Sequence, residues 1–573
     1  MSQTLGPAQD HAASFVEQGL FVQHRAPVRD VSSRVHYAQP ALLFLLTFAA
    51  ALLFSRFTAD THHDGVLFKP ALDVANGKML FRDSFTQYGA LTTLIQAWGI
   101  KAFGPYLVVI KGTTALFYAL AAPLLWFNWS KLLPSWLAFL CGLLWLAMAP
   151  FLVAVAFPWS SVYALVFQLL SSLWLINALS TFRARDLLLC GAAGGLVFWC
   201  RQPAGGFHLL ALILVLLSLW PLRLRTPGQT LRDLGLMLAG CASISATFLL
   251  WIVANDALSE WWTQSILFSL AFREGFGGPP SVWKLVNTFF PYPNNLYNPG
   301  YMWDVLPAAT LVLVAVVLWR LVVRGSRETR DLAAFALCVI ALSSWTQYYP
   351  FPDFMKAFWG AGIMVGLLAY LVWTCLPARN PALRSGITTL ALALLYLPYL
   401  QVRVPNAVAF YRSATVAMET PSVLRGMMFT PDQAAYLSSV SRAIDGYLAS
   451  HPAAKFINAT TDALYLTFRD DRAGSYHPAY VKWGILQYIV YPDYQRRLLD
   501  YVARERPLTL VYLPPELKTQ TGLEEGQPFV FNGEEKFKGY GVLQRFQGGI
   551  TLIAPARCEG DAPPGADACS LAF

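Results

Sequence analysis

Charged residues are scarce in this chain. Asp, Glu, Lys and Arg make up 13% of the 573 residues, against about 25% in an ordinary soluble domain. Apolar residues make up 56%, which argues against a water-soluble globule. Residues 1–401 contain 25 basic and 16 acidic residues, whereas residues 402–573 contain 17 of each. The chain therefore divides into a long apolar part with a basic excess and a shorter part of ordinary polarity.

Several common functional patterns are also missing. Lys and Arg do not gather into a solvated patch interleaved with aromatic residues, so the sequence does not predict nucleic-acid binding. The eight cysteines lack the CxxC and Cys/His spacings of a zinc site. The last 170 or so residues contain no phosphate-binding glycine loop and no nucleophile elbow, which argues against P-loop and serine-hydrolase chemistry there. The first 38 residues are polar and predict an uncleaved tail rather than a signal peptide.

The apolar part is predicted to cross a membrane many times. A spanning helix needs about 20 mostly apolar residues, and shorter helices fit inside a bundle. Eleven runs qualify, which predicts a polytopic α-helical membrane domain over residues 39–402. The runs are 39–55, 106–127, 135–152, 159–180, 187–200, 207–220, 234–254, 305–323, 332–346, 357–375 and 386–402.

The positions of Lys and Arg predict which connections face the cytoplasm. With residues 1–38 as a cytoplasmic tail, the connections assigned to the inside carry fifteen basic residues. The three short outside connections carry only Arg201 and Lys356. This difference follows the positive-inside rule, and an odd number of spans then places residues 403–573 outside the cytoplasm.

Two outside connections are long, residues 56–105 and 255–304, and long loops of this kind are usually functional. In the first, Leu91, Ile95 and Trp98 recur at helical spacing. This pattern predicts an amphipathic helix that lies either in the membrane interface or against other protein.

Residues 403–573 predict an extracytoplasmic α/β domain. The sequence Thr430-Pro431-Asp432-Gln433 is a capping box, which predicts the start of a helix that runs to about residue 449. Further elements are predicted as strands at 455–458 and 508–513, a helix at 493–504, and a hairpin formed by 542–546 and 550–554. Cys558 and Cys569 flank a Pro-Pro-Gly turn, and an oxidising compartment predicts a disulfide between them.

Charged residues gather at the predicted outer rim, and the span interiors have almost none. An ion-coupled transporter usually buries such residues near the bilayer midplane, whereas an enzyme acting on a lipid-anchored head group needs them at the surface. Sugar transfer from a lipid phosphate needs a carboxylate to accept a proton and cations for the leaving phosphate. The first loop offers acidic residues, and the cations predicted to bind the donor phosphate are Arg201, Arg273 and Lys356.

The first long loop also carries a recognisable motif. The segment HDGVLFKPALDV begins at His63 and is followed by GKMLFRD at 77–83 and QYG at 87–89. This arrangement resembles the first outer loop of bacterial C-type (GT-C) membrane glycosyltransferases, a superfamily that includes protein O-mannosyltransferases and the lipid A aminoarabinose transferase. The motifs at 201–205 and 347–353 are similar to later motifs of the same branch.

The resemblance implies a GT-C fold in a bacterial inner membrane and a polyprenyl-phosphate sugar as donor, with a glycan, a lipid or a protein as acceptor. By motif position the general base is Asp64, with Asp60 as the alternative and Asp83 as a further candidate. A divalent cation, Mg²⁺ or Mn²⁺, is implied only if Asp64 and Asp83 bind a metal. The donor and acceptor pocket is expected to include His63, Tyr88, Tyr348 and Asp353.

Other interpretations of these residues and of the chain stay open at this point. Asp64 is also a suitable helix N-cap, and Asp83 is a suitable partner for Arg82 or Lys78 in a solvated turn. His63 can instead be interpreted as an ordinary loop histidine, and Tyr348 as one of the aromatic residues that lie at a membrane interface. For the chain as a whole, the alternatives are a transporter or flippase of lipid-linked sugars and a noncatalytic cell-envelope assembly protein.

Overall fold

The computed structural model describes residues 35–153, 158–271, 281–283, 286, 301–346, 354–376, 380–460, 462–468, 491, 500–502, 504–512 and 540–555. Within these ranges the chain is mainly helical up to Ser413 and mixed α/β after it. The helices are α1 Val35–Ser55, α2 His63–Ala75, α3 Ala90–Phe103, α4 Leu107–Trp129, α5 Ser135–Ala147, α6 Ser160–Thr181, α7 Ala184–Cys200, α8 Gln202–Ser218, α9 Pro227–Ala254, α10 Leu258–Trp262, α11 Tyr301–Leu318, α12 Thr329–Thr346, α13 Phe354–Gly360, α14 Met364–Cys375, α15 Pro381–Ser413 and α16 Pro431–Ser450.

Every predicted span falls on helical structure, but the number of crossings is not settled by helix length. In the described part of the chain, six helices are long and apolar enough to cross a membrane: Tyr37–Ser55, Leu107–Trp129, Ser160–Thr181, Pro227–Ala254, Met302–Val323 and Pro381–Ser413. Shorter apolar helices are Ser135–Ala147, Gln202–Ser218 and Met364–Cys375. Eleven spans therefore remains a prediction. The predicted domain boundary after residue 402 falls inside α15, which continues to Ser413.

Close packing of α7 against α9 depends on small residues. A Cβ atom on Gly191 of α7 would lie 1.8 Å from the Met237 carbonyl oxygen, and one on Gly240 of α9 would lie 2.1 Å from the Leu188 carbonyl oxygen. Helices in lipid associate through such close backbone approach because no hydrophobic effect drives them together. The packing fixes α7, whose C-terminal end leads directly to Arg201.

The first long loop, residues 56–105, folds into α2 and α3. The predicted amphipathic helix is α3, which ends at Phe103 before Gly104. Its protein-facing side contains the buried residues Thr92 and Gln96. Leu91 and Ile95 of the predicted stripe are half-buried against the protein, whereas Trp98 is 68% exposed. The helix therefore presents an apolar surface that the protein itself does not cover.

The residues after Ser413, which we call the C-terminal part, contain a four-stranded sheet of β3 Phe456–Asn458, β4 Leu508–Tyr512, β6 Ile550–Pro555 and β5 Tyr540–Arg545, in that spatial order. Strands β3 and β4 are parallel and the other neighbours are antiparallel. The predicted helix is α16, whose N-cap Thr430 accepts a hydrogen bond from the Gln433 N–H. Both predicted strands and the hairpin are confirmed, whereas the predicted helix at 493–504 lies largely outside the described residues.

Two short strands and a 3₁₀ helix connect the C-terminal part to the first long loop. Strand β1 Val416–Ala417 pairs with β2 Met428–Phe429, and Met428 also bridges to Phe57 just after α1. The 3₁₀ helix Ala463–Thr467 packs on α2. The loop that carries the candidate acidic residues is thus covered by the C-terminal part.

Candidate active site

Asp64 lies in the first turn of α2 and is completely buried. Its Oδ2 atom is 2.7 Å from the Nζ atom of Lys111 on α4, and it also accepts a hydrogen bond from the Asp60 N–H at 3.1 Å. Its Oδ1 atom is buried and has no hydrogen-bond partner among the described residues. One carboxylate oxygen is therefore anchored, and the other is buried with its hydrogen-bonding capacity unused within the described part of the chain.

Lys111 joins the candidate site to the helix bundle. Its side chain is only 2% exposed, and its ammonium group also donates a hydrogen bond to the Thr58 carbonyl oxygen at 2.8 Å. A buried carboxylate is costly unless a cation or several donors compensate it. The lysine supplies that compensation to Asp64 without touching its second oxygen.

Neither Asp60 nor Asp64 is the N-cap residue of α2, which is His62, but Asp60 satisfies a backbone donor at the start of this helix. The Asp60 carboxylate accepts a hydrogen bond from the His63 N–H at 2.5 Å, which satisfies a backbone donor at the start of α2. The same Oδ1 atom is 3.2 Å from Nδ1 of the His63 ring. Asp60 is partly exposed, and its Oδ1 atom holds the turn.

The two carboxyl groups have opposite pKa shifts. Burial raises the pKa of Asp64 to about 6, although the charge of Lys111 acts in the other direction. Burial also raises the pKa of Asp60, but the hydrogen bond and charge of His63 outweigh it, and the net pKa lies below its ordinary value. A raised pKa near the working pH is a property of general bases, and it favours Asp64 over Asp60.

A chain of contacts connects this acidic turn to Arg201. The ring of Trp159 lies 5.4 Å from the ring of His63 and 5.5 Å from the ring of Tyr88, measured between centroids. Arg201 lies over the Tyr88 ring at 5.9 Å, and its guanidinium donates to the Ser160 hydroxyl at 3.4 Å. The structure therefore brings the predicted residues Asp60, His63, Asp64, Tyr88 and Arg201 into one neighbourhood.

The sharp break before α8 positions Arg201. The residue has extended backbone angles, φ −154° and ψ 109°, between α7 and α8. The Cys200 carbonyl oxygen accepts hydrogen bonds from the Gly89 N–H at 3.2 Å and the Thr92 hydroxyl at 3.2 Å. The start of α3 is thereby tied to the end of α7, which places Tyr88 beside the arginine.

Asp83 occupies a structural turn. Its carboxylate accepts a hydrogen bond from the Met79 N–H at 2.9 Å and two from Arg82, each at 2.9 Å. Arg82 also donates to the Asn255 carbonyl oxygen at the end of α9. These contacts favour the interpretation of Asp83 as the partner of Arg82, the alternative that the sequence left open.

A second buried charged cluster lies further along α2 and was not singled out from the sequence. The Asp73 carboxylate is 2.5 Å from the Lys69 ammonium and 3.1 Å from the Lys78 ammonium. It also accepts a hydrogen bond from the Ser84 hydroxyl at 2.7 Å. The spacing of Lys69 and Asp73, four residues apart on a helix, is the signal that predicts such a pair.

Several predicted residues fall where the structure gives no side-chain geometry. Arg273, Tyr348, Asp353, Cys558 and Cys569 lie outside the described residues. Lys356 lies on α13, three residues before Trp359, whose ring is stacked on Trp159 at 6.0 Å. Three assignments therefore stay predictions. They are the donor-phosphate role of Arg273 and Lys356, the pocket role of Tyr348 and Asp353, and the disulfide between Cys558 and Cys569.

The described residues do not form a divalent-metal site around Asp64 and Asp83. No group of three or more His, Cys, Asp or Glu side chains with metal-binding geometry occurs in the described ranges. Asp64 is paired with Lys111, and Asp83 with Arg82. Cations thus compensate both carboxylates within the described part of the chain, and a divalent cation stays a prediction.

Sequence reasoning missed the roles of Lys111 and Trp159. Lys111 lies within a predicted span, and a charged residue in such a run is a functional candidate by default, so a signal was present. Trp159 precedes α6 and has no distinguishing pattern around it. Its role depends on contacts with residues that lie at least 71 positions away along the chain, and a single sequence does not reveal such contacts.

Comparisons with known proteins show structural similarity without sequence similarity. No protein-family model matches the chain, and no curated protein is significantly similar to it. ArnT from Cupriavidus metallidurans, solved bound to undecaprenyl phosphate, superposes with a TM-score of 0.51 at 12% identity, over 91% of this chain and 97% of that one.

Two further solved structures are similar over smaller shares. The oligosaccharyltransferase AglB from Archaeoglobus fulgidus gives a TM-score of 0.46 at 12% identity, over 78% of this chain and 61% of that one. The arabinosyltransferase EmbB from Mycobacterium smegmatis gives a TM-score of 0.37 at 12% identity, over 69% of this chain and 42% of that one. This chain spans about 60% of the length of the archaeal protein.

All three proteins are C-type glycosyltransferases, and the similarity to ArnT extends over nearly the whole length of both chains. The expectation from the first-loop motif is confirmed at the level of fold: this chain has the fold of the C-type membrane glycosyltransferases.

Proposed function

We propose that this protein transfers a sugar from a polyprenyl-phosphate donor to a hydroxyl group of an acceptor, at the outer face of a bacterial inner membrane. The observation that carries the proposal is the Asp64 carboxylate, with Oδ2 held by Lys111 and a buried Oδ1 that has no hydrogen-bond partner among the described residues. The similarity in fold to a protein solved with undecaprenyl phosphate supports the choice of donor.

In the proposed reaction Asp64 acts as general base. The acceptor hydroxyl donates its proton to Oδ1, and its oxygen attacks the anomeric carbon of the donor sugar. The bond from that carbon to the phosphate oxygen breaks, and the lipid phosphate leaves with the electron pair. Because the nucleophile enters opposite the leaving group, the anomeric configuration inverts.

Arg201 is proposed to stabilise the leaving phosphate. A guanidinium beside the leaving oxygen offsets the negative charge that develops on it and can form two parallel hydrogen bonds to a phosphate. Its position over Tyr88 and beside Ser160 orients the guanidinium within the same neighbourhood as Asp64. Arg273 and Lys356 are proposed as further phosphate ligands, and the pocket is completed by His63, Tyr88, Tyr348 and Asp353.

Release of sugar from a synthetic polyprenyl-phosphate donor tests this proposal. Purified protein in lipid vesicles is incubated with labelled donor, and free lipid phosphate and glycosylated acceptor are measured. The proposal is supported if turnover is lost in Arg201→Gln but kept in Arg82→Gln. Arg82 is the matched control because it is an arginine that pairs with Asp83. Donor that crosses the bilayer intact favours a flippase, and donor that is neither cleaved nor moved favours an assembly protein.

A further inference from the structure

The segment 56–65, which we call the acidic segment, lies between α4 and the C-terminal part. On one side Lys111 contacts both the Thr58 carbonyl and Asp64. On the other side the Thr58 N–H donates to the Met428 carbonyl oxygen at 2.9 Å, and the Met428 N–H donates to the Arg56 carbonyl oxygen at 2.7 Å. The start of the segment is thus paired with a strand about 370 residues away.

The 3₁₀ helix Ala463–Thr467 contacts the same segment at the residue next to Asp64. A Cβ atom on Gly65 would lie 2.1 Å from the backbone nitrogen of Leu464 and 2.7 Å from the Cβ atom of Ala463. Any side chain at position 65 would therefore force the two backbones apart. Glycine permits this contact, and the contact covers the turn that carries Asp64.

Thr61 is held by two bonds from the same 3₁₀ helix. The Leu464 N–H donates to the Thr61 carbonyl oxygen at 2.9 Å, and the buried Tyr465 hydroxyl bonds to the Thr61 side chain. The Tyr465 hydroxyl also lies 2.8 Å from the hydroxyl of Tyr436 on α16. The acidic segment is connected through Tyr465 to the main helix of the C-terminal part.

From these contacts we infer that the 3₁₀ helix Ala463–Thr467 is a positioning element of the candidate active site, which holds the acidic segment so that Asp64 stays against Lys111. This inference rests on the proposed function and adds a role for the C-terminal part beyond binding an acceptor. Leu464 and Tyr465 act through Thr61 and Gly65, and neither touches the reacting groups.

Two variants loosen the contact in different ways, and one serves as their control. Gly65→Ala introduces the clash with the Leu464 backbone, and Tyr465→Phe removes only the hydroxyl that bonds Thr61 and Tyr436. Gly446→Ala on α16 is the matched control, because a Cβ atom there meets no atom within 4 Å. Amide hydrogen exchange of the peptide covering 56–66 is measured in the full-length protein, together with kcat and the KM for the acceptor.

The inference predicts that exchange in the 56–66 peptide is about fivefold faster in Tyr465→Phe, the effect of losing the one hydrogen bond between Tyr465 and this segment, and faster still in Gly65→Ala. Turnover falls through kcat in both variants, whereas Gly446→Ala matches the wild type. Unchanged exchange in both variants overturns the inference, and so does a rise in the acceptor KM at constant kcat. If the wild-type protein transfers no sugar, the proposed function fails, and the exchange rates still decide whether the 3₁₀ helix holds the segment.

Discussion

At the scale of single residues, the different pKa values of Asp64 and Asp60 allow the pH dependence of turnover to show which of them is the general base. A base must be unprotonated, so turnover falls as the pH drops through its pKa. Burial raises the pKa of Asp64 to about 6, whereas the pKa of Asp60 lies below its ordinary value. We expect the acidic limb of kcat/KM to have its midpoint near pH 6. A midpoint below the ordinary aspartate pKa would assign the base to Asp60.

Lys111 is expected to keep Asp64 ionised. Removing an adjacent cation raises the pKa of a buried carboxyl group by about one to three units, so Lys111→Met should move the acidic limb upward by about one unit or more. Turnover at neutral pH should fall and recover partly at higher pH, and Lys111→Arg, which keeps a cation, should stay closer to the wild type. An unchanged acidic limb in a Lys111→Met protein of normal melting temperature would contradict this role.

The residues of the site differ in how far the sequence predicts them. The motif beginning at His63, with the acidic residue just before it, and the position of Arg201 between two apolar runs were enough to select Asp64, Asp60, His63, Tyr88 and Arg201. The structure brings these residues together. The sequence did not predict which of the two carboxylates, Asp64 or Asp60, has the properties of a general base. The difference between them depends on burial and on Lys111, and both arise from packing of α2 against α4.

At the scale of elements, the outward apolar side of α3 is expected to lie in the membrane interface. Trp98 is 68% exposed and Phe103 is 74% exposed, a surface that is costly in water. A fluorophore on Trp98→Cys in vesicles should be quenched by lipids that carry nitroxide groups. The same fluorophore on Asn76→Cys, an exposed site at the end of α2, should respond instead to a water-soluble quencher. Equal lipid quenching at both positions would contradict an interfacial α3.

Element boundaries follow from local chemistry wherever a cap or break is present in the sequence. The Thr430 cap fixes the start of α16, and the break at Arg201 separates α7 from α8. The predicted span ends at residue 402 because polar residues from Gln401 onward end the apolar run, whereas the helix α15 continues to Ser413. Apolar periodicity detects the membrane-buried length of a helix, and the helix itself continues beyond it.

At the scale of the whole molecule, the distribution of basic residues predicts the sidedness of the chain. Reporter fusions truncated after Arg330 and after Ser413 should report opposite sides of the membrane, with Arg330 inside, because three predicted spans lie between them. Fusions that report the same side would overturn the assignment of the candidate site to the outer face.

The contact between the C-terminal part and the acidic segment was beyond prediction from the sequence. Met428 and Leu464 lie about 370 and 400 residues from their partners, and no local pattern marks them. The sequence predicted the main helix and the sheet of the C-terminal part, but neither strand β2 nor the 3₁₀ helix Ala463–Thr467, which make this contact. Their docking depends on the close approach at Gly65, which only the three-dimensional arrangement reveals.

The most direct test of the account compares Asp64→Asn with Asp60→Asn in the donor assay. Asparagine keeps the size of the side chain and caps a helix as well as aspartate, but it cannot accept a proton. Asp64→Asn is predicted to lower turnover by about 10²-fold or more with donor binding intact, and Asp60→Asn to stay within a few-fold of the wild type. Near-normal turnover of Asp64→Asn, in protein that expresses and melts normally, would contradict the account.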